Sequence, residues 1–530
     1  MKFHQLSPVI LAFALVGVAA SPAHSQDVLT YRYNNARTGL DSKEIILTPS
    51  NVAVSTFGKL FALSVDGVVD AQPLYLSAVT ISGGTHNVLI VATENDSVYA
   101  FDADTGAAYW HISALKSGET PSDDRGCDQV VPVIGITSTP VISRPKGTNG
   151  VIYAVAMSKD SSGAYHQRLH ALNAATGAEM YKGPMDISAQ YPGTGDNSSG
   201  GQVIFDPSQY KERSGLLLSS GTVYLTWASH CDIRPYTGWI MAYSATKLTQ
   251  TSVLNVTPNG NEGAIWGSSA GLTMDANGNI FFLDANGVFD TSLNSLGFPT
   301  SGDYGNGFLH LTNAGGLAVA DYFQMSNQEN ENCCDVDLGS GGALLLPNLT
   351  DSKGNTWQLA AGAGKDGNLY LVNRASMGKF NASSNNIYQE LSGSLPGGMW
   401  NSPAYFAGRL FYGPVGSPIL AFQFNNAKLR TTSVAQSTTN FGFPGATLSI
   451  SANNGSNGIV WAVENSSSGA AVLHAYSPSN LSELYNTTQA SGGRDSFGTA
   501  NKYAPPIIAN GKVYVPTTGG VGVFGLLSTK

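Results

Sequence analysis

A strand-turn-strand pattern returns along this chain at intervals of roughly 50 to 70 residues, at or above the ~40–50 of the common four-stranded blade repeats. Nothing else in the sequence restricts the fold as much. The first full unit, VLIVATENDSVYAFDADTGAAYW, runs from Val88 to Trp110. It reads as a strand, a turn at Glu94-Asn95-Asp96, a second strand, a turn at Asp104-Thr105-Gly106, and a third strand ending in Trp110. The pattern recurs at Val151 to Tyr181, Val223 to Ala245, Ile280 to Leu311, Leu359 to Arg374, Leu410 to Phe424, Ile459 to Ser477 and Val513 to Leu526. A unit of this size is too small to bury its own face, and stacking four-stranded blades radially solves that problem. The fold class expected is therefore all-β, an eight-bladed β-propeller occupying residues 26–530 as a single domain. The last unit, GKVYVPTTGGVGVFGL, lacks an outer strand. The alternating stretch Val28 to Tyr33 is expected to supply it, pairing N- and C-terminal strands and leaving no free sheet edge.

Composition bears on partners and compartment. Charged residues make up 12% of the chain, the net charge is −9 and no basic cluster exceeds a residue or two, which argues against nucleic acid. Sixty-one glycines and the absence of long amphipathic patterns suit short strands joined by tight turns. Residues 1–25 read as an export leader: Lys2, an apolar run from Val9 to Ala20, and the small-residue cleavage pattern Ala23-His24-Ser25. No later apolar run approaches the ~20 residues of a membrane span, so a periplasmic or secreted protein is expected. Four cysteines in such a compartment, Cys127, Cys231, Cys333 and Cys334, imply two disulfides, for which three pairings exist.

The densest chemistry lies in Glu331-Asn332-Cys333-Cys334-Asp335-Val336-Asp337-Leu338-Gly339-Ser340-Gly341-Gly342, ahead of the apolar run Ala343 to Leu346. If extended, Asp335 and Asp337 point to one face, where a hard cation could sit. The plainer reading is a polar turn entering a buried strand. The long segments Lys116 to Asp128 and Gln324 to Gly342 are expected to be loops on one face, the kind that carries function. His230 beside Cys231 and Asp232 has no second histidine at zinc-ligand spacing. No Gly-x-Ser-x-Gly, HExxH or P-loop occurs, whereas paired acids for glycoside cleavage remain an alternative.

The turn Ala100-x-Asp102-x-x-Thr105-Gly106-x-x-x-Trp110, repeated as Ala171-x-Asn173-x-x-Thr176-Gly177 with Tyr181, resembles the tryptophan-docking repeat of pyrroloquinoline quinone (PQQ) dehydrogenases. Further matches follow that family's order. Cys334-Asp335-Val336-Asp337 stands where the family has Trp-Asp-x-Asp or Trp-Asp-x-Ala. Gly263-Ala264-Ile265-Trp266-Gly267 resembles the segment whose tryptophan floors the quinone, and Asp284-Ala285-Asn286-Gly287 the turn whose Asn ligates calcium. The stretch WASHCDIRPYTGWIMAYSA places Asp232 nearest the family's ligand Glu. Lys365, in AGKDGNLYLVNR, matches the cation that bonds the quinone oxygens, and Gly397-Gly398-Met399-Trp400-Asn401 resembles a turn closing over the cofactor. Departures are visible too: Cys334 replaces the family's Trp, and Val288-Phe289-Asp290 replaces Pro-Trp-Asn.

The resemblance implies an alcohol dehydrogenase, acting on a small or polymeric alcohol and passing electrons to an external acceptor. Asp335 would be the catalytic base and Lys365 the oxyanion stabiliser; Trp266, Lys365, Trp400 and Asn401 would hold PQQ, and Asp232, Asn286, Asp335 and Asp337 a Ca²⁺ ion. No Cys-x-x-Cys-His occurs, so no haem is built in. By the same alignment all four cysteines fall on one face, implying a Cys127 to Cys231 bridge and a vicinal Cys333 to Cys334 bridge. The competing class is a cofactor-free propeller serving as a binding or scaffold module. In it Trp266 is an interblade wedge, Asn286 a turn residue and Lys365 a solvated charge.

Overall fold

The computed structural model describes residues 1, 26–267, 270–464, 469–499 and 501–528. The leader expected at 1–25 thus lies, but for Met1, outside the described residues.

Among the described residues the one α-helix is the short Gln328–Asn332, and no helix is long and apolar enough to cross a membrane. Eight sheets of four or five strands follow one another along the chain, with three smaller ribbons between them. The first runs Leu74–Ile81, Gly84–Ala92, Ser97–Asp102 and Ala108–Ser113, each strand antiparallel to the one before. Inner strands such as Ile280–Leu283 and Leu359–Ala363 are buried throughout, because a neighbouring sheet packs on each face. This is why their sequence is continuously apolar rather than alternating.

Each sheet shares an apolar cluster with its neighbour in sequence. Leu225 of the third shares a cluster with Tyr153 of the second, Ile280 of the fourth with Leu217 of the third, and Leu410 of the sixth with Leu371 of the fifth. Tyr514 and Val523 of the last sheet share a cluster with Leu74 of the first and Ile152 of the second. The turn signature contributes as its residue types require. Asp102 Oδ1 accepts from the amides of Asp104 and Thr105 at 2.9 and 2.8 Å, and Gly106 takes φ 80°. Trp110 then reaches the turn of the next sheet, its Nε1 donating to Ala174 O at 3.2 Å. A Cβ on Gly177 would lie 2.8 Å from the Trp110 ring, so only glycine admits the indole there.

One expectation is corrected. The outer strand of the last sheet is Phe57–Ser64, antiparallel to Gly520–Leu526 in register Phe57 to Leu526. Val28 to Tyr33 does not supply it. Val28 instead bridges Tyr75 of the first sheet, and Tyr31–Tyr33 is a 3-10 turn with Arg32 and Tyr33 at positive φ. From there residues 28–40 thread past the leading strand of every sheet. Carbonyls of Leu29, Asn35, Ala36, Thr38 and Gly39 accept from the amides of Ile142, Met274, Leu345, Tyr405 and Ile450 at 2.7–3.0 Å. The Asn35 side chain donates to Leu218 O at 3.0 Å, and the Tyr33 hydroxyl accepts from Ile508 N at 2.7 Å.

Two wholly buried guanidiniums fasten this hub through carbonyls. Arg32 donates to Leu448 O (2.7 Å) and Pro403 O, and Arg37 to Leu272 O, Tyr31 O and Leu216 O (2.7–3.0 Å). Burial, with no carboxylate to offset it, pushes Arg37 down to about 9.

Candidate functional site

The chemistry-bearing loops meet at one cavity. Asp232, Trp266, Asp335, Asp337, Ser340, Lys365 and Trp400 all line a space of about 240 Å³. The sheets deliver them from separate turns, and backbone contacts between those turns fix the register. A Cβ on Gly364 would sit 2.4 Å from Asp337 O, so only glycine lets the 364–365 turn close on the Asp337 segment, where Lys365 N donates to Asp337 O at 3.0 Å. Gly263 N likewise donates to Asn286 O at 2.5 Å, binding the Trp266 turn to the Asn286 turn.

Asp335 and Asp337 are not alternate positions of a strand. Helix Gln328–Asn332 ends just before them, Val336 N returns to Glu331 O at 3.0 Å, and Asp335 takes φ 54°. Both carboxylates nevertheless converge on one ammonium: Lys365 Nζ pairs with Asp335 Oδ1 and, at 2.6 Å, with Asp337 Oδ1. Asp337 is 2% exposed whereas the Asp335 side chain is 63% exposed. Burial raises the Asp337 carboxyl, and Lys365 offsets only part of the rise. Burial likewise pulls Lys365 down, but its two carboxylates outweigh it and leave the ammonium above its ordinary value.

Asn286 Nδ2 donates to Asp335 Oδ1 at 2.8 Å, while its buried Oδ1 has no partner among the described residues. Asp232, at φ 55°, accepts from the Tyr236 hydroxyl at 2.6 Å, and its carboxyl is raised by burial despite that bond. Asn401 is not on the cavity wall: its amide nitrogen donates to Gly413 O and Pro444 O at 3.2 and 3.3 Å, joining two turns.

The cysteines divide. Cys127 and Cys231 are bridged across a sequence separation of 104. Cys333 and Cys334 are free thiols with Sγ atoms 2.9 Å apart, which corrects the vicinal bridge. The turn after the short helix places the sulfurs side by side without joining them.

Charged residues on or near the wall carried no motif in the sequence. Lys211, Glu212 and Arg213 look like a solvated charge run, yet all three are buried. Lys211 Nζ donates to Gln129 Oε1 at 2.8 Å and lies 5.4 Å from the centre of the Trp266 ring. Burial, then Arg213, holds Lys211 well below its ordinary value. Arg213, 6% exposed, lines the cavity; its Nε lacks a hydrogen-bond partner among the described residues, and its guanidinium packs 5.2 Å over Tyr503. Lys502 completes the cationic side. Glu262, raised by burial and then by Asp232, adds an acid near Asp232. The one sequence signal was three consecutive charges running straight into the apolar stretch Leu216 to Leu218.

The wall combines two indoles, Trp266 and Trp400, with three cationic side chains, Arg213, Lys365 and Lys502, and four carboxyls, Asp128, Asp232, Asp335 and Asp337. It does not amount to a calcium cage. Ca²⁺ takes about 6–8 oxygens, whereas among the described residues no three His, Cys, Asp or Glu side chains are placed to hold a metal ion. The Lys365 ammonium, moreover, already occupies the point between Asp335 and Asp337.

No protein-family model matches the sequence, and no curated protein matches it. Solved structures do match in fold. The quinohemoprotein alcohol dehydrogenase of Comamonas testosteroni superposes with TM-score 0.64 at 14% identity, over 94% of this chain and 80% of that one. The quinohemoprotein alcohol dehydrogenase ADHIIG of Pseudomonas putida HK5 gives 0.62 at 13%, over 95% and 81%. A europium-containing methanol dehydrogenase gives 0.60 at 12%, over 94% and 98%. The resemblance to the PQQ dehydrogenases therefore extends from the motifs to the β-propeller fold.

Proposed function

We propose that this protein, which shares the propeller fold of the quinoprotein dehydrogenases, is an exported PQQ-binding alcohol dehydrogenase. Its 26–530 domain would form an eight-bladed ring closed by Phe57–Ser64. The buried, incompletely partnered Arg213 on the wall beside Trp266 carries the reading, because a guanidinium kept out of water calls for an anionic occupant. Lys365 and Lys502 add charge around the same space.

When bound, the quinone supplies a two-electron sink for oxidation of the alcohol to a carbonyl compound, and an external acceptor takes the electrons onward. The protein's own residues divide the remaining work. Asp335 Oδ1 is held by Asn286 and Lys365, leaving Oδ2 of this exposed carboxylate to take the hydroxyl proton. Lys365 has three N–H donors, and with two of them on Asp335 and Asp337 the third serves oxygen developing negative charge in the cavity. Asp337 positions Lys365 from the buried side. Trp266 and Trp400 wall the cavity and limit water. No step is routed through a metal ion, since the described side chains do not form its cage.

The test is to add PQQ, with and without Ca²⁺, to the purified protein and look for a quinone absorption band that survives desalting. Asp335→Asn is expected to keep that band and lose alcohol-dependent dye reduction, while Arg213→Gln weakens retention about tenfold or more, as loss of a charged hydrogen bond implies. Absence of the band from the wild-type protein under both conditions overturns the reading in favour of a cofactor-free binding propeller.

A further inference from the structure

The cavity just described opens into a larger one. A chamber of about 740 Å³ shares Arg213, Lys502, Tyr503 and Phe443 with it, and extends to Asp70, Glu94, Val131 and Thr518 around the first and last sheets. Nothing in the proposed chemistry uses this second space.

Its wall has an unusual balance. Glu94 is 2% exposed, and its carboxyl pairs with that of Asp70. Asn501 Nδ2 donates to Asp70 Oδ1 at 3.1 Å. Burial first, and Asp70 second, raise the Glu94 carboxyl far above its ordinary value, so it stays a neutral acid whose O–H goes to Asp70 and whose carbonyl oxygen is left to accept from a ligand. Arg213 and Lys502 line both spaces. One rim is apolar: Phe443, 53% exposed, meets Trp400 edge-on at 5.7 Å and Tyr503 edge-on at 6.3 Å, and Val131 is 46% exposed.

The signs of these charges restrict the occupant. An anion would meet Asp70, Asp128 and Glu464, and a cation would meet Arg213 and Lys502. A neutral molecule with many hydroxyls meets neither repulsion, because each hydroxyl both donates and accepts. A ring with an apolar C–H face would in addition lie against Phe443. We propose that this chamber is a binding subsite for a neutral, polyhydroxylated, sugar-like ligand longer than a single ring, with Glu94 on its hydrogen-bonding wall and Phe443 as its stacking face. The subsite stands whether or not the adjoining cavity holds a cofactor, and it names the kind of substrate that would reach Asp335 if it does.

The experiment is calorimetric titration of the full chain with maltotriose, glycerol and citrate, with PQQ retention measured separately. Saturable heat with maltotriose is expected, with far weaker heat for glycerol. Phe443→Ala should weaken maltotriose binding about five- to tenfold, the scale of one aromatic contact. Glu94→Leu, which removes the carbonyl acceptor, should weaken it severalfold. No saturable heat with maltotriose, or heat with citrate alone, overturns the proposal, as does a Phe443→Ala protein that binds maltotriose like wild type. Maltotriose binding without PQQ retention sinks the dehydrogenase reading and spares the subsite; PQQ retention without maltotriose binding does the reverse.

Discussion

Lys365 holds two carboxylates, one almost fully buried, so removing it strands a charge. Lys365→Met should cost about 3–5 kcal/mol at neutral pH, the range for breaking a buried pair from one side. Without its ammonium the already raised Asp337 carboxyl rises further, so the folded variant binds a proton that the unfolded chain releases above about pH 3.9. The penalty should therefore shrink on acidification toward about pH 4, and urea melts across that range check it. Glu94 follows the same sign. Because the folded state keeps its proton, wild-type stability falls as pH rises above about 4.3, the unfolded value. Glu94→Gln has no proton to lose and should show a shallower decline in melting temperature toward about pH 9. At this scale the sequence was only partly legible. Asp335, Lys365 and Trp266 sit in motifs, so their meeting could be expected from loop order. Arg213 sits in none; a charge run ordinarily means a solvated face, and only the packing of neighbouring turns over it reveals burial.

Strand Phe57–Ser64 completes the last sheet, and one ring seats it. Phe57 is wholly buried, with ring centres 5.5 Å from Trp461, 5.0 Å from Tyr485 and 6.4 Å from Phe524. Phe57→Ala should cost about 3–5 kcal/mol, read as a lower denaturation midpoint with unchanged slope. That the last sheet needed an outer strand was legible in its length; which strand supplies it was not. Tyr31 and Tyr33 alternate as a strand would, but alternation records which residues are apolar rather than their φ. Here the Arg32 guanidinium draws the backbone into the left-handed region to reach Leu448 and Pro403. The Asp102 to Trp110 turn was read in full, because Asp, Thr, Gly and Trp each act locally.

Across the whole molecule, the Cys127 to Cys231 bridge closes a loop of 104 residues between cavity-forming segments. In the chain-entropy model such a loop stabilises by ~4–5 kcal/mol before strain. Reduction should accordingly lower the melting temperature of the entire fold in a single transition, checked by calorimetry with and without a reductant. The repeat made the succession of sheets foreseeable, whereas the hub at residues 28–40 belongs to no repeat, and its alternating stretch Val28 to Tyr33 pointed to a strand it does not form. Its consequence is one of time. A ribosome delivers the hub before any sheet exists, yet its acceptors find their last donors only when Ile508 and its neighbours have been made. The earliest residues of the domain are therefore the last to be satisfied, and contacts this distant in sequence make for slow folding. A nascent chain that stops short of the final sheet still carries an unsatisfied Tyr33 and an unpaired Phe57–Ser64, so the hub registers whether synthesis reached its end.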